Sequence, residues 1–386
     1  MYKIKLMNEI SDTGLEIFDD KYEYNKEIEN EDAMLVRSAS LHDYAFPSSI
    51  KAVARAGAGV NNIPIEKCSE DGIVVFNTPG ANANAVKELV LCGLLLSSRK
   101  VVEGMNWVQT QKGNANSEKQ AEKQKSLYVG PEIEGKKLGI IGLGAIGVKV
   151  ANSAINLGME VWGYDPFLSI SAAWGMSRHV KNATTLDMLL KECDYITLHL
   201  PSNKNTVGFI NKEAIEKMKD GVRILNFARG DLVNNSDLID YIASGKIAKY
   251  ISDFACEELI GLENVLLLPH LGASTPESED NCAKMAVQEI REYLEVGNIR
   301  NSVNFPEVIQ ARETKERMCI INKNIPNILA KISTFFAENN INIENMVNKA
   351  KGDYAYTLID TDEIITDEII TKVAEMDGIV NVRIIK

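Results

Sequence analysis

Side chains suited to proton transfer and carboxylate binding fall at the ends of neighbouring apolar runs. Arg229 closes Asn226-Phe227-Ala228-Arg229-Gly230, Glu257 and Glu258 follow the run that carries Asp253, and His270 follows Val265-Leu266-Leu267-Leu268-Pro269. An imidazole beside a substrate oxygen takes or gives a proton near neutral pH. A guanidinium offers a bidentate fork to a carboxylate, and an acid beside the imidazole orients it and raises its pKa. Of the four histidines, only His270 reads as lying just past a strand end. A single loop histidine or strand-end arginine is more often structural, so the weight rests on Arg, Glu and His meeting at adjacent strand ends of one sheet.

The second chemical signal is Gly142-Leu143-Gly144-Ala145-Ile146-Gly147, a G-x-G-x-x-G run between a strand, Leu138-Gly139-Ile140-Ile141, and a helix. Gly142 permits the tight turn, Gly144 lets a pyrophosphate approach the backbone, and Gly147 lets the helix pack on the strand. The helix start then offers free N–H groups to the phosphates. Asp165 lies 18 residues after Gly147, close to the offset at which an acid binds the adenosine ribose and repels a 2′-phosphate. The expectation is NAD rather than NADP.

These residues require particular elements to carry them. Ala33–Ser38, Ala52–Gly57 and Ile73–Asn77 read as parallel strands ending in polar or glycine-rich loops, which places Arg37, Ser38, Arg55 and Asn82 where such sheets bind ligands. A helix is expected over Ala85–Val108, then a solvated helix end or loop over Gln109–Lys125. From Lys136, strands at Leu138–Ile141, Val161–Tyr164, Tyr195–Leu198, Arg223–Asn226, Tyr250–Asp253 and Val265–Leu268 form one doubly wound domain. A helix over Glu277–Val296 leads to a turn-rich boundary at Asn301–Pro306. Beyond it the order strand, helix, strand, strand, helix, strand describes a ferredoxin-like βαββαβ module.

Composition limits the alternatives. The chain has 386 residues, long enough for two or three domains, and carries 42 Lys+Arg against 54 Asp+Glu. Its net charge of −12 and lack of basic clusters weigh against a nucleic-acid partner. No apolar stretch approaches a membrane span, and Met1–Glu9 lacks the features of a secretory leader, so a cytoplasmic location is expected. Cys68, Cys92, Cys193, Cys256, Cys282 and Cys319 have no metal-ligand or disulfide spacing and read as buried thiols, with no metal expected.

Taken in order, Arg55-Ala56-Gly57-Ala58-Gly59-Val60, the glycine loop with Asp165, Asn226–Gly230, Asp253 with Glu258, and Pro269-His270-Leu271-Gly272-Ala273-Ser274-Thr275 resemble the D-isomer-specific 2-hydroxyacid dehydrogenase family over about residues 1–304. Residues 317–386 resemble an ACT regulatory domain. The resemblance implies an α/β architecture in which a Rossmann-like doubly wound NAD-binding domain (99–275) is inserted in a flavodoxin-like substrate domain (1–98 and 276–304). The ACT domain (317–386) follows.

The resemblance also assigns roles. His270 becomes the acid/base on the C2 oxygen, Glu258 its partner, and Arg229 the group that binds the carboxylate and polarises the carbonyl. Thr78, Ala145, Ile146, Leu200, Pro201, Phe227, Ala228, Asp253, Gly272 and Ala273 join Gly142, Gly144, Gly147 and Asp165 in holding NAD. Arg37, Ser38, Arg55 and Asn82 hold the substrate's charged ends. The family's usual Asp after Gly-Val is Asn61 here, and its Pro after the catalytic Glu is Leu259.

Two arginines suit a doubly anionic substrate, so oxidation of 3-phosphoglycerate to 3-phosphohydroxypyruvate is the main expectation. A broad dehydrogenase acting on hydroxypyruvate, glyoxylate or 2-oxoglutarate is the enzyme alternative. A non-catalytic NAD-binding regulator is the other. By similarity, Asn322, Asn324 and Asn342 bind an L-serine effector between paired ACT domains, in a homodimer or homotetramer; amide side chains both donate and accept toward an amino acid.

Overall fold

The computed structural model describes residues 1–386. Its contacts divide the chain into Met1–Ala81 with Pro276–Lys386, and Asn82–Thr275. In the first unit, strands β1 (Tyr2–Leu6), β2 (Tyr22–Asn25), β3 (Ala33–Val36), β4 (Ala52–Arg55) and β5 (Val74–Asn77) form a wholly parallel sheet in the order β2-β1-β3-β4-β5. All four residues of β3 are fully buried, because a parallel sheet is covered on both faces and its central strands read as continuous apolar runs. The loops after β1 and β3 lie at the switch point of this sheet, and Arg37 follows β3 directly.

The 21-residue helix Pro276–Val296 packs Ala283, Ala286, Val287, Ile290 and Leu294 into the core of that sheet. The C-terminal strands β13 (Glu316–Lys323), β14 (Asn345–Lys351), β15 (Tyr354–Thr361) and β16 (Ile379–Ile385) pair antiparallel in the order β14-β15-β13-β16. Alternation along β13 sends Met318 and Ile320 to the helices Ile328–Glu338 and Asp367–Ala374, and Cys319 and Ile321 to the core shared with β1–β5. Residues 317–386 therefore belong to the same unit as the first sheet instead of standing apart as a third body. Arg317, Arg383 and Tyr356 secure that junction at the end of the long helix. Arg317 donates to Val296 O at 2.9 Å, Arg383 to Tyr293 O and Leu294 O, and Tyr356 to Gly297 O at 2.7 Å.

In the second unit, β6 (Lys137–Ile141), β7 (Glu160–Tyr164), β8 (Lys181–Asn182), β9 (Tyr195–Leu198), β10 (Val222–Asn226), β11 (Ile247–Ser252) and β12 (Val265–Leu267) make a parallel sheet in the order β12-β11-β10-β9-β6-β7-β8. The six expected strands are present, with the two-residue β8 added at one edge.

Two expectations change here. The single helix over 85–108 is two, Ala83–Ser98 and Val101–Thr110, separated by an extended Arg99 (φ −113°, ψ 140°). The first half is anchored by Val86, Val90 and Leu94, which pack with Leu225 and Phe227, whereas the second half buries no residue. Packing supports only the first half, and it also moves the domain boundary from 98/99 to 81/82. The polar stretch after it contains a short exposed helix, Ser117–Gln124. No helix is long and apolar enough to cross a membrane.

Candidate active site

The glycine turn has the conformation its residues require. Gly142 sits at φ +93°, and a Cβ there would lie 2.5 Å from His199 O. A Cβ on Gly147 would lie 2.0 Å from Gly142 O, so both positions exclude a side chain, while the space beside Gly144 is open. The helix Ala145–Asn156 begins at once, with Gly144, Ala145 and Ile146 at its solvent-facing start. Asp165 follows β7, and its two carboxylate oxygens accept from Leu143 N and Phe167 N, each at 2.8 Å. The acid is thereby fixed against the turn. Leu200 and Pro201 follow β9, with Leu200 beside Gly142.

The ends of β10, β11 and β12 carry the polar constellation. Asn226, fully buried at the end of β10, accepts from Ala228 N at 3.2 Å and donates to Arg229 O at 2.8 Å. This one side chain shapes the turn through Phe227 and Ala228, after which Arg229 is exposed and its guanidinium donates to Ala228 O at 2.6 Å. Its buried amide in a strand-end Asn-x-x-Arg was the available signal for that role. After β11, Asp253 is buried and receives Gly272 N at 2.8 Å on Oδ2, while Oδ1 has no partner. Burial raises the Asp253 pKa, opposed by the Gly272 N–H and by the charges of His270 and Arg229.

After β12, His270 adopts the left-handed conformation (φ +48°) with its N–H on Asp253 O at 2.8 Å. Its ring centroid lies 4.8 Å from that of Phe254. The structure thus gathers Arg229, Asp253, His270, Gly272 and Ala273 at one corner of the sheet.

Other assignments fall differently. Glu258 is exposed, and its carboxylate accepts from Asn235 Nδ2 at 3.1 Å, not from the imidazole. Asn235 also donates to Cys256 Sγ at 3.4 Å, so it draws this acid toward the helix Asn235–Ala243. His270 is not alone in following a strand. His199 directly follows β9, but burial depresses its pKa to about 3, and its ring meets Thr197 Oγ1 at 3.1 Å. A buried neutral imidazole of this kind is structural. Of the cysteines, Cys68, Cys193, Cys282 and Cys319 are buried, Cys92 is exposed and Cys256 half-buried.

In the first unit, Arg37 pairs with Glu279, and Arg55 donates to Arg37 O at 3.0 Å and to Gly59 O. Their positive charges act together on the buried Cys282 thiol, against the burial that raises its pKa. Thr78 is fully buried next to Cys282. Asn82 belongs to the second unit, where it precedes the helix Ala83–Ser98.

A cavity of about 300 Å³ in the C-terminal sheet is lined by Asn322, Asn324, Asn327 and Asn348. Asn324 donates to Gly352 O at 3.1 Å, and Asn322 is fully buried. Asn327 holds a left-handed turn (φ +68°), which asparagine tolerates. Asn342 does not line this cavity and does not open a strand. It lies before β14, with its amide on Glu344 at 2.6 Å, because pairing with β15 begins only at Asn345. Asn348, missed from the sequence, projects from β14 toward Thr357 on β15 at 2.8 Å.

Dinucleotide binding can be tested against these atoms. The open face at Gly144, the fixed acid at Asp165 and the unpartnered Asp253 Oδ1, suited to an amide N–H donor, fit NAD from its pyrophosphate to its carboxamide. Residues 91–272 match the model of the D-isomer specific 2-hydroxyacid dehydrogenase NAD binding domain. A D-3-phosphoglycerate dehydrogenase of Haemophilus influenzae is 32% identical over 85% of this chain and 79% of its own. A hydroxypyruvate reductase of Thermotoga maritima is 36% identical over 71% of this chain and 89% of its own. The NAD+-bound 3-phosphoglycerate dehydrogenase of Entamoeba histolytica superposes with a TM-score of 0.59 at 27% identity, covering 78% of this chain and 98% of that one. The match spans about half the length of several other curated relatives.

Proposed function

The chain belongs to the D-isomer specific 2-hydroxyacid dehydrogenase family, and from that premise we propose that it oxidises 3-phosphoglycerate to 3-phosphohydroxypyruvate with NAD. The observation that carries the reading is the convergence of Arg229, Asp253 and His270 at the ends of adjacent strands. NAD supplies a hydride acceptor when bound. The protein's part is to hold the substrate carboxylate on Arg229, whose cation also polarises the C2 oxygen, and to remove the C2 hydroxyl proton with the His270 imidazole. Glu258 pairs with the charged imidazole in the productive complex, exchanging a neutral amide partner for a cationic one. Arg37, Ser38 and Arg55, with Asn82, bind the phosphate and carboxylate ends.

Thr78, Gly142, Gly144, Ala145, Ile146, Gly147, Asp165, Leu200, Pro201, Phe227, Ala228, Asp253, Gly272 and Ala273 form the NAD site in this reading. L-serine is the effector we assign to Asn322 and Asn324, with Asn342 reaching it from a paired domain. The exposed edge strand β14 supports a homodimer or homotetramer, since open sheet edges favour pairing. The enzyme then works in the cytoplasm as the first step of serine synthesis.

The Thermotoga relative favours a second reading, a reductase of unphosphorylated 2-oxo acids. NADH oxidation with 3-phosphohydroxypyruvate, beside hydroxypyruvate and 2-oxoglutarate, with and without added L-serine, separates the two. A strong preference for the phosphorylated ketone is expected, and equal or faster turnover of the others would replace our reading with the reductase.

Asp165 sets cofactor choice. Asp165→Ala removes the acceptor for the ribose hydroxyls, loosens Leu143 N, and is expected to raise the KM for NADH about tenfold, the size of a lost charged hydrogen bond. It should also narrow the NADH over NADPH preference. Parallel titrations of both cofactors check this, and an unchanged ratio would remove Asp165 from the site.

A further inference from the structure

Asn8 follows β1, and its single side-chain oxygen receives three successive backbone N–H groups. Arg37 N lies at 2.9 Å, Ser38 N at 3.0 Å and Ala39 N at 3.0 Å. From the opposite side, Arg55 Nε donates to Arg37 O at 3.0 Å. The main chain of Arg37 is thus fixed at both its donor and its acceptor. β1 is flanked by β2 on one side and β3 on the other, so Asn8 and the 37–39 loop meet at the crevice where a doubly wound sheet binds its ligand.

The chemistry of Asn8 suits this place. Consecutive N–H groups pointing at one centre form a patch of positive potential that attracts anions. A neutral amide oxygen satisfies all three donors without adding negative charge beneath the arginines. Alanine would leave the donors without their acceptor and the loop without its tether. Asn8 carries no motif that signals this role, because an asparagine after a strand is ordinarily a turn former.

We propose that Asn8 is a positioning residue that holds the Arg37-Ser38-Ala39 loop in the form that binds the substrate phosphate, and so sets the preference for phosphorylated over unphosphorylated 2-oxo acids. The inference rests on the reading that Arg37, Ser38 and Arg55 take the phosphate.

The test is the ratio of kcat/KM for 3-phosphohydroxypyruvate to that for hydroxypyruvate, in the full-length enzyme. Asn8→Ala should lower the ratio about tenfold, chiefly through the KM of the phosphorylated substrate, as when a substrate-positioning group is released. Asn8→Gln keeps a neutral accepting amide at this position and should hold a ratio closer to wild type. Asn8→Ser, whose shorter side chain cannot span three N–H groups, is a second loss variant should Asn8→Ala not fold. Arg37→Ala is run beside them. If Arg37→Ala leaves the ratio intact, the phosphate assignment itself fails. If Arg37→Ala abolishes the preference while the Asn8 loss variants keep it, or if Asn8→Gln is as impaired as they are, the role of Asn8 fails alone.

Discussion

His270→Asn lowers kcat with 3-phosphohydroxypyruvate by about a thousandfold, within the range that general acid–base catalysis contributes, while NADH binding measured by fluorescence titration stays near wild type. Asparagine is the informative replacement because His270 occupies the left-handed region at φ +48°, which asparagine tolerates and alanine does not. The loop then keeps its N–H on Asp253 O while losing the group that moves the proton. His270→Ala loses both, and the difference between the two variants measures the backbone contribution. Turnover by His270→Asn within tenfold of wild type would move the acid/base role to another residue.

Arg317→Met is the largest stability prediction. Arg317 and Asp360 are fully buried, and two parallel hydrogen bonds of 2.6 and 2.8 Å join them. The guanidinium also donates to Val296 O, Gln310 O and Ala311 O, at 2.9, 3.0 and 3.0 Å, so one side chain ties β13 and β15 to the end of the long helix and the segment beyond it. Removing it strands a buried carboxylate, which costs about 3–5 kcal/mol. Denaturant unfolding of the full chain, followed at the first transition, reads the loss. The double variant Arg317→Met/Asp360→Leu should recover much of it, since replacing both ions leaves no charge unpaired. A single variant within about 1 kcal/mol of wild type would place the pair among weak surface bridges.

The same junction gives the effector proposal a physical route. The helix Pro276–Val296 carries Glu279, the partner of Arg37, near its start, and meets Arg317, Arg383 and Tyr356 of the C-terminal sheet at its end. One helix thus touches both the C-terminal sheet and the Arg37 side chain.

What the sequence determined by itself is the set of elements and which polar residues stand at their ends. Strand runs such as Ala33–Val36 are apolar throughout because both faces are covered, and a G-x-G-x-x-G turn admits one backbone path, so these signals are local and readable. The placement of Arg229, Asp253 and His270 was legible for the same reason, each being tied to a strand end. Only the tertiary structure decided matters that depend on partners distant in the chain. Packing of Val86, Val90 and Leu94, and its lack beyond Ser98, broke the expected helix and moved the domain boundary. Asn235 drew Glu258 from His270 across 23 residues, and Asn8 reached Arg37 N across 29. Hydrogen bonds over such separations have no period or motif, because the folded backbone, not the local sequence, brings their donors and acceptors together.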